Sequence, residues 1–208
     1  MKIALLGGTG FVGSKLLAEA VSRGHRVTVL VRDPLKVALD ELVIALPVDV
    51  HDTPGLAAAV AGHAALLSAY NPALPRGLEA ARSIIAAVKL AHVPRLLCVG
   101  GAGSLLRADG TRVVDAPDFP AQWKQGSLDT AEFLNLLREE PVLDWTMLSP
   151  AEILDPGTRT AHFRLGNDYV LSNEEGGPSR ISVEDYAVAF LDELDSPRHH
   201  RTRFSVAY

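Results

Sequence analysis

Gly7, Gly10 and Gly13 recur at intervals of three residues, directly behind the apolar run Lys2-Ile3-Ala4-Leu5-Leu6. A strand that turns into a helix on glycines leaves bare backbone N–H groups at the helix N-terminus. No side chain blocks the approach and the helix dipole is positive at that end, so the chemistry on offer is the binding of a diphosphate. The following residues supply the context the motif requires. Leu16, Leu17, Ala20 and Val21 fall at helical spacing and Gly24 is a stop signal. The expected ligand is a dinucleotide; the competing account of the same glycines is a tight strand–helix turn that binds nothing.

The choice of dinucleotide turns on the end of the next strand, Arg26 to Val31, which runs into Arg32-Asp33-Pro34. In such folds an acidic residue there binds a free ribose 2′-hydroxyl, and a basic one accommodates a 2′-phosphate. Arg32 lies about 20 residues after the glycines, and its guanidinium can grip a phosphate with two hydrogen bonds. Asp33 has a role of its own as the N-cap of a helix opening on Pro34. NADP(H) is therefore the preferred cofactor. NAD(H) stays open, because Asp33 can also turn towards the ribose.

The elements that must position these residues alternate along the chain. After the first two strands, a helix is expected over Pro34 to Glu41 and a third strand over Leu42 to Val48. A helix over Thr53 to Val60 and a strand over Ala64 to Ala69 follow. Next come a long helix from Arg76 to Ala91, a strand over Arg95 to Val99, a helix clearest over Asp129 to Arg138, and a strand over Leu143 to Leu148. That alternation predicts an α/β Rossmann-type fold, a doubly wound parallel sheet with helices on both faces. Two stretches break it. Residues 100–122 are long for a strand–helix connection, which often marks an active-site loop, and Asp109-Gly110 between Leu105-Leu106 and Val113-Val114 reads as a hairpin. The tail after Pro150 carries short candidate strands at His162 to Leu165 and Tyr169 to Leu171, a helix from Val183 to Leu194 and a strand-like run from Phe204 to Ala207. The chain reads as one domain, 1–208, with a core over 1–150 and a small C-terminal lid or substrate region over 151–208 packed on it.

Composition narrows the partners. The 208 residues are 48% hydrophobic and 22% charged with a net charge of −5, an ordinary globular profile that disfavours nucleic acid. No apolar run approaches the roughly 20 residues that span a bilayer, and the first apolar run enters the glycine motif without a cleavage-like site. The lone Cys98 sits inside an apolar strand, which excludes an internal disulfide, makes a buried core thiol the expected role, and points to a reducing, cytoplasmic setting. His199-His200 are adjacent rather than one helical turn apart, and the other histidines are scattered, so no metal site is expected. The expected partner is a small-molecule acceptor, and the assembly a monomer or homodimer.

Taken in order, Gly7 to Gly13, Arg32, Val48-Asp49-Val50, Ser68-Ala69-Tyr70 and Val99-Gly100-Gly101-Ala102 resemble the atypical short-chain dehydrogenase/reductase family. Within it the likeness is to NAD(P)H-flavin reductases, relatives of biliverdin-IXβ reductases and of NmrA-like proteins. The likeness spans nearly the whole chain, and Ser179 to Ala187 resembles the family's C-terminal helix entry. By position, the resemblance implies that Thr9, Phe11 and Val12 line the pyrophosphate and nicotinamide turn, that Asp49 and Val50 meet the adenine, and that Ser68, Ala69 and Tyr70 border the ribose. It also implies that Gly100 and Gly101 lie beneath the nicotinamide and that Pro150, Ala151, Glu152 and Ile153 lie along its far side. Asp49 can instead cap a turn, and Pro150 can simply end a strand.

Short-chain dehydrogenases reduce carbonyls with a Tyr-x-x-x-Lys pair, in which the tyrosine protonates the nascent alkoxide. Here Tyr70 is followed at that spacing by Leu74, Tyr169 by Asn173 and Tyr186 by Phe190, and Tyr208 is the last residue. Near the expected place stands Trp123-Lys124 instead. A flavin or quinone can accept hydride and take its proton from solvent, so the missing acid fits a conjugated acceptor better than a ketone, with a flavin as substrate rather than a tightly held group. Lys124, Ser104 and Tyr70 are the candidate catalytic residues, each of which can equally be an ordinary surface or loop residue. Two alternatives remain: an NADP(H)-sensing binding protein without turnover, and an epimerase or ketone reductase with an unusual acid such as Tyr70.

Overall fold

The aliphatic and β-branched runs of the sequence assemble into one sheet. The computed structural model describes residues 1–38, 40–173 and 176–208. Its elements, in chain order, are β1 (Lys2–Leu6), α1 (Phe11–Ser22), β2 (Arg26–Val31), β3 (Val43–Pro47), α2 (Thr53–Val60), β4 (Ala65–Ser68), α3 (Gly77–Leu90), β5 (Arg95–Val99), α4 (Ala121–Arg138), β6 (Asp144–Ser149), β7 (Ile153–Asp155), β8 (Arg164–Gly166), β9 (Arg180–Ser182), α5 (Val183–Asp195) and β10 (Thr202–Ala207). Eight strands form a sheet in the order β3-β2-β1-β4-β5-β6-β10-β8, while β7 and β9 pair separately. The large sheet is parallel except for β8, which runs antiparallel to β10. The order of winding reverses between β1 and β4, the crevice where open α/β sheets bind their ligands.

Alternate side chains of each strand feed opposite faces. Ile3 and Leu5 of β1 pack with Leu16 and Ala20 of α1 and with Tyr186 and Phe190 of α5. Ala4 and Leu6 pack on the other side with Leu56 of α2, Ile84 and Val88 of α3, and Phe133 and Leu137 of α4. The doubly wound α/β arrangement is therefore present. Residues 151–208 enter that arrangement through β10 and β8 in the large sheet and through α5, whose Tyr186 hydroxyl donates to the Leu148 carbonyl at 2.7 Å.

Three local expectations are corrected. The helix over Pro34 to Glu41 is only a 3-10 turn over Pro34–Lys36; residue 39 of that segment lies outside the described residues. Leu35 is 95% exposed and Val37 alone of the described residues in 34–41 packs against the core, too little apolar contact to propagate a helix. Asp33 still caps the turn, accepting the Leu35 N–H at 3.1 Å. The Asp109-Gly110 turn forms, with the Arg107 N–H donating to the Thr111 carbonyl at 2.8 Å, but its ladder is the single bridge Leu106–Arg112. Val113 and Val114 turn inward instead as a buried 3-10 turn, Val113–Asp115. In the tail, Tyr169 makes one bridge to Leu106 rather than a strand, and β7 and β9 appear where no alternating pattern marks them.

Candidate functional site

β1 to β6 run parallel, so the segments that leave them all emerge at one edge of the sheet. That topology brings together Gly7 to Gly13, Arg32, Asp49-Val50, Ser68 to Tyr70, Gly100-Gly101 and Pro150 to Ile153. The three motif glycines do three different jobs. Gly7 has φ +81°, and a Cβ there would lie 2.8 Å from the Ala69 carbonyl oxygen. Gly13 is pressed onto the entry turn of its own helix, where a Cβ would lie 2.0 Å from the Gly7 oxygen. Gly10 is different: the nearest atom to an added Cβ is 3.4 Å away. Protein packing explains the first and third glycines but not the second. A glycine there leaves the backbone open to the close approach that a diphosphate requires. Gly10 is also the N-cap of α1; no side chain caps the helix, and no acidic residue occupies its first turn. Thr9 and Phe11 are exposed beside it and Val12 is half-buried, so the residues present fit the diphosphate of a nicotinamide dinucleotide.

Around this turn, the Ser68 hydroxyl is buried and has no partner among the described residues. Ala69 and Tyr70 are half-buried. Burial raises the Tyr70 phenol above its ordinary range and Asp49 adds to the rise, while the positive charges of Arg32 and Arg76 oppose it. These four residues therefore share one corner, over the ends of β2, β3 and β4. Arg32 itself is exposed. Asp49 accepts the His51 N–H at 2.9 Å, so it does cap a turn, and Val50 packs against the core beneath.

On the other side of the crevice, a Cβ on Gly100 would lie 2.8 Å from Met147 Cγ, and its N–H donates to the Leu148 carbonyl at 2.8 Å. Gly101 faces Thr130 of α4, with room for a Cβ at 3.4 Å. The pair forms a thin floor between β5, β6 and α4. Pro150 and Ala151 are buried as the chain leaves β6. Glu152 is tied to the tail: its Oε2 accepts the Ser179 N–H at 3.0 Å, and its own N–H donates to Ser179 Oγ at 3.1 Å. Ile153 opens β7.

The candidate catalytic residues are dispersed. No hydrogen bond or ion pair joins Ser104, Lys124 and Tyr70 among the described residues. Lys124 is exposed on the first turn of α4, where its charge helps hold the Asp115 carboxyl below its usual range, after the direct bond from Arg112. Ser104 is buried, and its hydroxyl accepts from Arg203 at 3.1 Å. Sequence reasoning missed Arg203. It lies buried in β10, donates to Asp168 Oδ1 at 2.6 Å, and also reaches the carbonyls of Ser104 and Asp168 at 3.4 and 3.3 Å. Burial lowers its pKa, and Asp168 partly restores it. The available signal was an arginine at an inward position of Thr202-Arg203-Phe204-Ser205. A cleft of about 110 Å³ beside it is lined by Ser104, Arg138, Asp168 and Arg203.

The remaining chemistry-bearing groups are occupied elsewhere. Burial pushes the Cys98 thiol far above the usual range. His199 Nδ1 lies 2.7 Å from Glu193, and its ring stacks on Phe204 at 3.9 Å between centroids. His200 Nδ1 lies 2.9 Å from Asp144. Among the described residues, no cluster of three or more His, Cys, Asp or Glu side chains is arranged to hold a metal ion, and no helix is long and apolar enough to cross a membrane.

Comparison with known proteins agrees with this geometry. Residues 7–194 match a family model described as NAD(P)H-binding. The chain is 40% identical to the "uncharacterized protein YwnB" of Bacillus subtilis over 212 residues, 99% of this chain and 98% of that one. A crystal structure from Bacteroides thetaiotaomicron, named a "putative epimerase", is 42% identical with a TM-score of 0.95 and covers 100% of this chain and 96% of its own. Another, from Streptococcus pneumoniae and named a "putative NADH-flavin reductase", is 33% identical with a TM-score of 0.83, covering 100% and 99%.

Proposed function

Because the chain belongs to the NAD(P)H-binding family, we propose that it is a reductase that prefers NADPH and passes hydride to a flavin, a quinone or a similar conjugated acceptor without a Tyr-x-x-x-Lys pair. The observation that carries the reading is the uncapped N-terminus of α1, where an added Cβ on Gly10 would meet the Gly7 oxygen no closer than 3.4 Å while its two companion glycines are hemmed in. The bound dinucleotide supplies the hydride. The N–H groups of the Gly7 to Gly13 turn hold its diphosphate, and Arg32 holds the 2′-phosphate. Asp49 and Val50 flank the adenine, and Ser68, Ala69 and Tyr70 border the ribose. Gly100 and Gly101 support the nicotinamide, with Pro150 and Ile153 beyond it.

Proton delivery separates acceptor classes. Tyr186 cannot act as an acid on a substrate: it is fully buried, and its proton is committed to the Leu148 carbonyl. Lys124 stands exposed at the rim. An acceptor that draws its proton from solvent needs no more than this, whereas a ketone does. The test is steady-state oxidation of NADPH with riboflavin, FMN and quinones. Turnover is expected, and Arg32→Ala should raise the KM for NADPH about tenfold, as loss of a charge-assisted contact does, while sparing NADH. No oxidation above background with any acceptor would overturn the reading. Tight NADP(H) binding without turnover would then leave a cofactor-sensing protein.

A second reading, epimerase or ketone reductase with Tyr70 as the acid, draws on the placement of Tyr70 beside the cofactor residues and on the name of the Bacteroides neighbour. The raised pKa of Tyr70 moves its phenol further from neutral pH, which disfavours it as the acid and equally as the base an epimerase also needs. A pH–rate profile that changes in Tyr70→Phe would favour this reading; an unaffected variant would remove it.

A further inference from the structure

We propose that Arg107 makes this protein selective for acceptors bearing an anionic group, a phosphate or a carboxylate, attached to the conjugated ring. The inference rests on the reductase reading above and adds the acceptor's class. Arg107 belongs to the segment leaving β5, and its guanidinium reaches across to the segment leaving β6, where Nη2 lies 3.9 Å from Glu152 Oε1. β5 and β6 are neighbours on the nicotinamide side of the crevice, beyond the β1–β4 reversal where the diphosphate rests. On that reading, the cation therefore lies between the two segments that flank the nicotinamide.

Three observations say that this arginine is held ready rather than used up. Its Nε is buried without a partner among the described residues. Asp109, on the same turn, is bonded to Thr111; Glu152, the ion-pair partner, is loosely opposed, and its carboxylate is already engaged: Oε2 accepts from both the N–H and the hydroxyl of Ser179, at 3.0 and 3.3 Å. The side chain as a whole is 42% exposed although its Nε is buried. A guanidinium whose Nη2 is opposed only at 3.9 Å, beyond hydrogen-bond distance, can turn its outer edge to a phosphate or a carboxylate and hold it with paired hydrogen bonds.

The backbone beneath is fixed from both sides. The Leu106 N–H donates to the Asp168 carbonyl at 2.8 Å, and the Val170 N–H donates to the Leu106 carbonyl at 2.9 Å. Arg203 ties Ser104 to the same Asp168. The Arg107 N–H and carbonyl close the next turn with Thr111 and Gly110. The base of the cation is thus immobilised before any ligand arrives, which lowers the ordering cost of recognition.

FMN and riboflavin test this, because they share a ring and differ by one phosphate. The wild-type protein is expected to favour FMN about tenfold in kcat/KM, as a charge-assisted contact provides. In Arg107→Gln that ratio should fall close to one, with NADP⁺ affinity by calorimetry and the melting temperature both retained. Arg107→Lys should keep part of the preference, and Glu152→Gln, which removes the competing carboxylate, should raise it. A naphthoquinone bearing a carboxylate, set against its amide, tells whether the preference is for phosphate alone or for either anion. If the wild-type protein reduces neither flavin nor either naphthoquinone nor any other acceptor, the reductase reading fails. The same ratio is then read from flavin fluorescence titrations of the NADP⁺-loaded protein. No FMN preference in the wild type, a preference that survives Arg107→Gln, or binding of neither flavin would overturn the proposal.

Discussion

The two edges of the parallel sheet are built to opposite rules. At the edge where the strands begin, charges are buried and answered. Arg95, at the start of β5, donates to Glu193 at 2.6 Å, to Thr146 at 2.9 Å and to Asp144 at 3.2 Å. Glu193 in turn accepts the backbone N–H groups of Arg198 and His199 at 3.0 and 2.9 Å. Nearby, Arg23 ties Glu19 of α1 to Asp192 and Asp195 of α5. At the edge where the strands end, donors go unanswered. The α1 N-terminus has no capping side chain, the Ser68 hydroxyl has no partner, and neither Arg32 nor Lys124 makes an ion pair among the described residues. Buried polar groups are normally satisfied. The first edge meets most of that demand with its own chain, Arg95 Nε being left without a hydrogen bond among the described residues, and on the proposed reading a ligand completes the second, so the first should govern stability and the second affinity.

The most severe test of that division is Arg95→Met. The Arg95 and Glu193 side chains are 8% and 3% exposed, so removing one strands a buried charge. Urea unfolding should show a loss of about 3–5 kcal/mol. Calorimetry should show NADPH affinity unchanged in the protein that remains folded; a parallel loss of affinity would break the division. Gly10→Asp is the converse. Its carboxylate would cap α1 and complement the dipole, so stability should rise by about 0.5 kcal/mol. The same charge would occupy and repel the diphosphate position, and NADP(H) association should fall about a hundredfold through the loss of charge-assisted hydrogen bonds. Unaltered association would remove the ligand from that edge.

The smallest effect is a pH dependence. Burial lowers the pKa of His25 and of His63, whose Nε2 and Nδ1 meet Thr28 Oγ1 at 2.8 Å and the Val60 carbonyl at 2.9 Å. Both lie at the edge where the strands begin. The native state keeps these rings neutral to a lower pH than the unfolded chain, whose histidines titrate near about 6.5. Their contribution is whole above that value and is lost as the pH falls through it towards the native pKa, because the unfolded state takes up protons first. Urea midpoints should therefore drop between pH 7.5 and 5.5, and His63→Asn should flatten the slope. A slope that is unchanged in His63→Asn would place the sensitivity elsewhere.

The sequence was most legible where a residue's role is local. The strand Arg26–Val31, the helix Thr53–Val60 and the strand Arg95–Val99 have the bounds their composition predicts, because each carries its own period and its own stop. The glycine turn into α1 was legible for the same reason: Gly7, Gly10 and Gly13 lie within seven residues of one another. The edge where the strands begin was not. Arg95 and Glu193, 98 residues apart, meet only through the fold, and nothing in either neighbourhood announces the other. Arg203 was missed likewise, since its partners Ser104 and Asp168 lie in other connections. Segment 34–41 was misread because helical propensity with only Val37 of its described residues packed on the core does not sustain a helix.

The position of β10 shapes how the molecule is made. Its ladder lies between β6 and β8, so a nascent chain emerging from the ribosome exposes β6 as a bare edge until residues 202–207 arrive. For that interval the half-built sheet is open to pairing with a stranger. Trigger-like holdases should bind ribosome-stalled chains ending before Thr202 and release those in which the strand is free to dock.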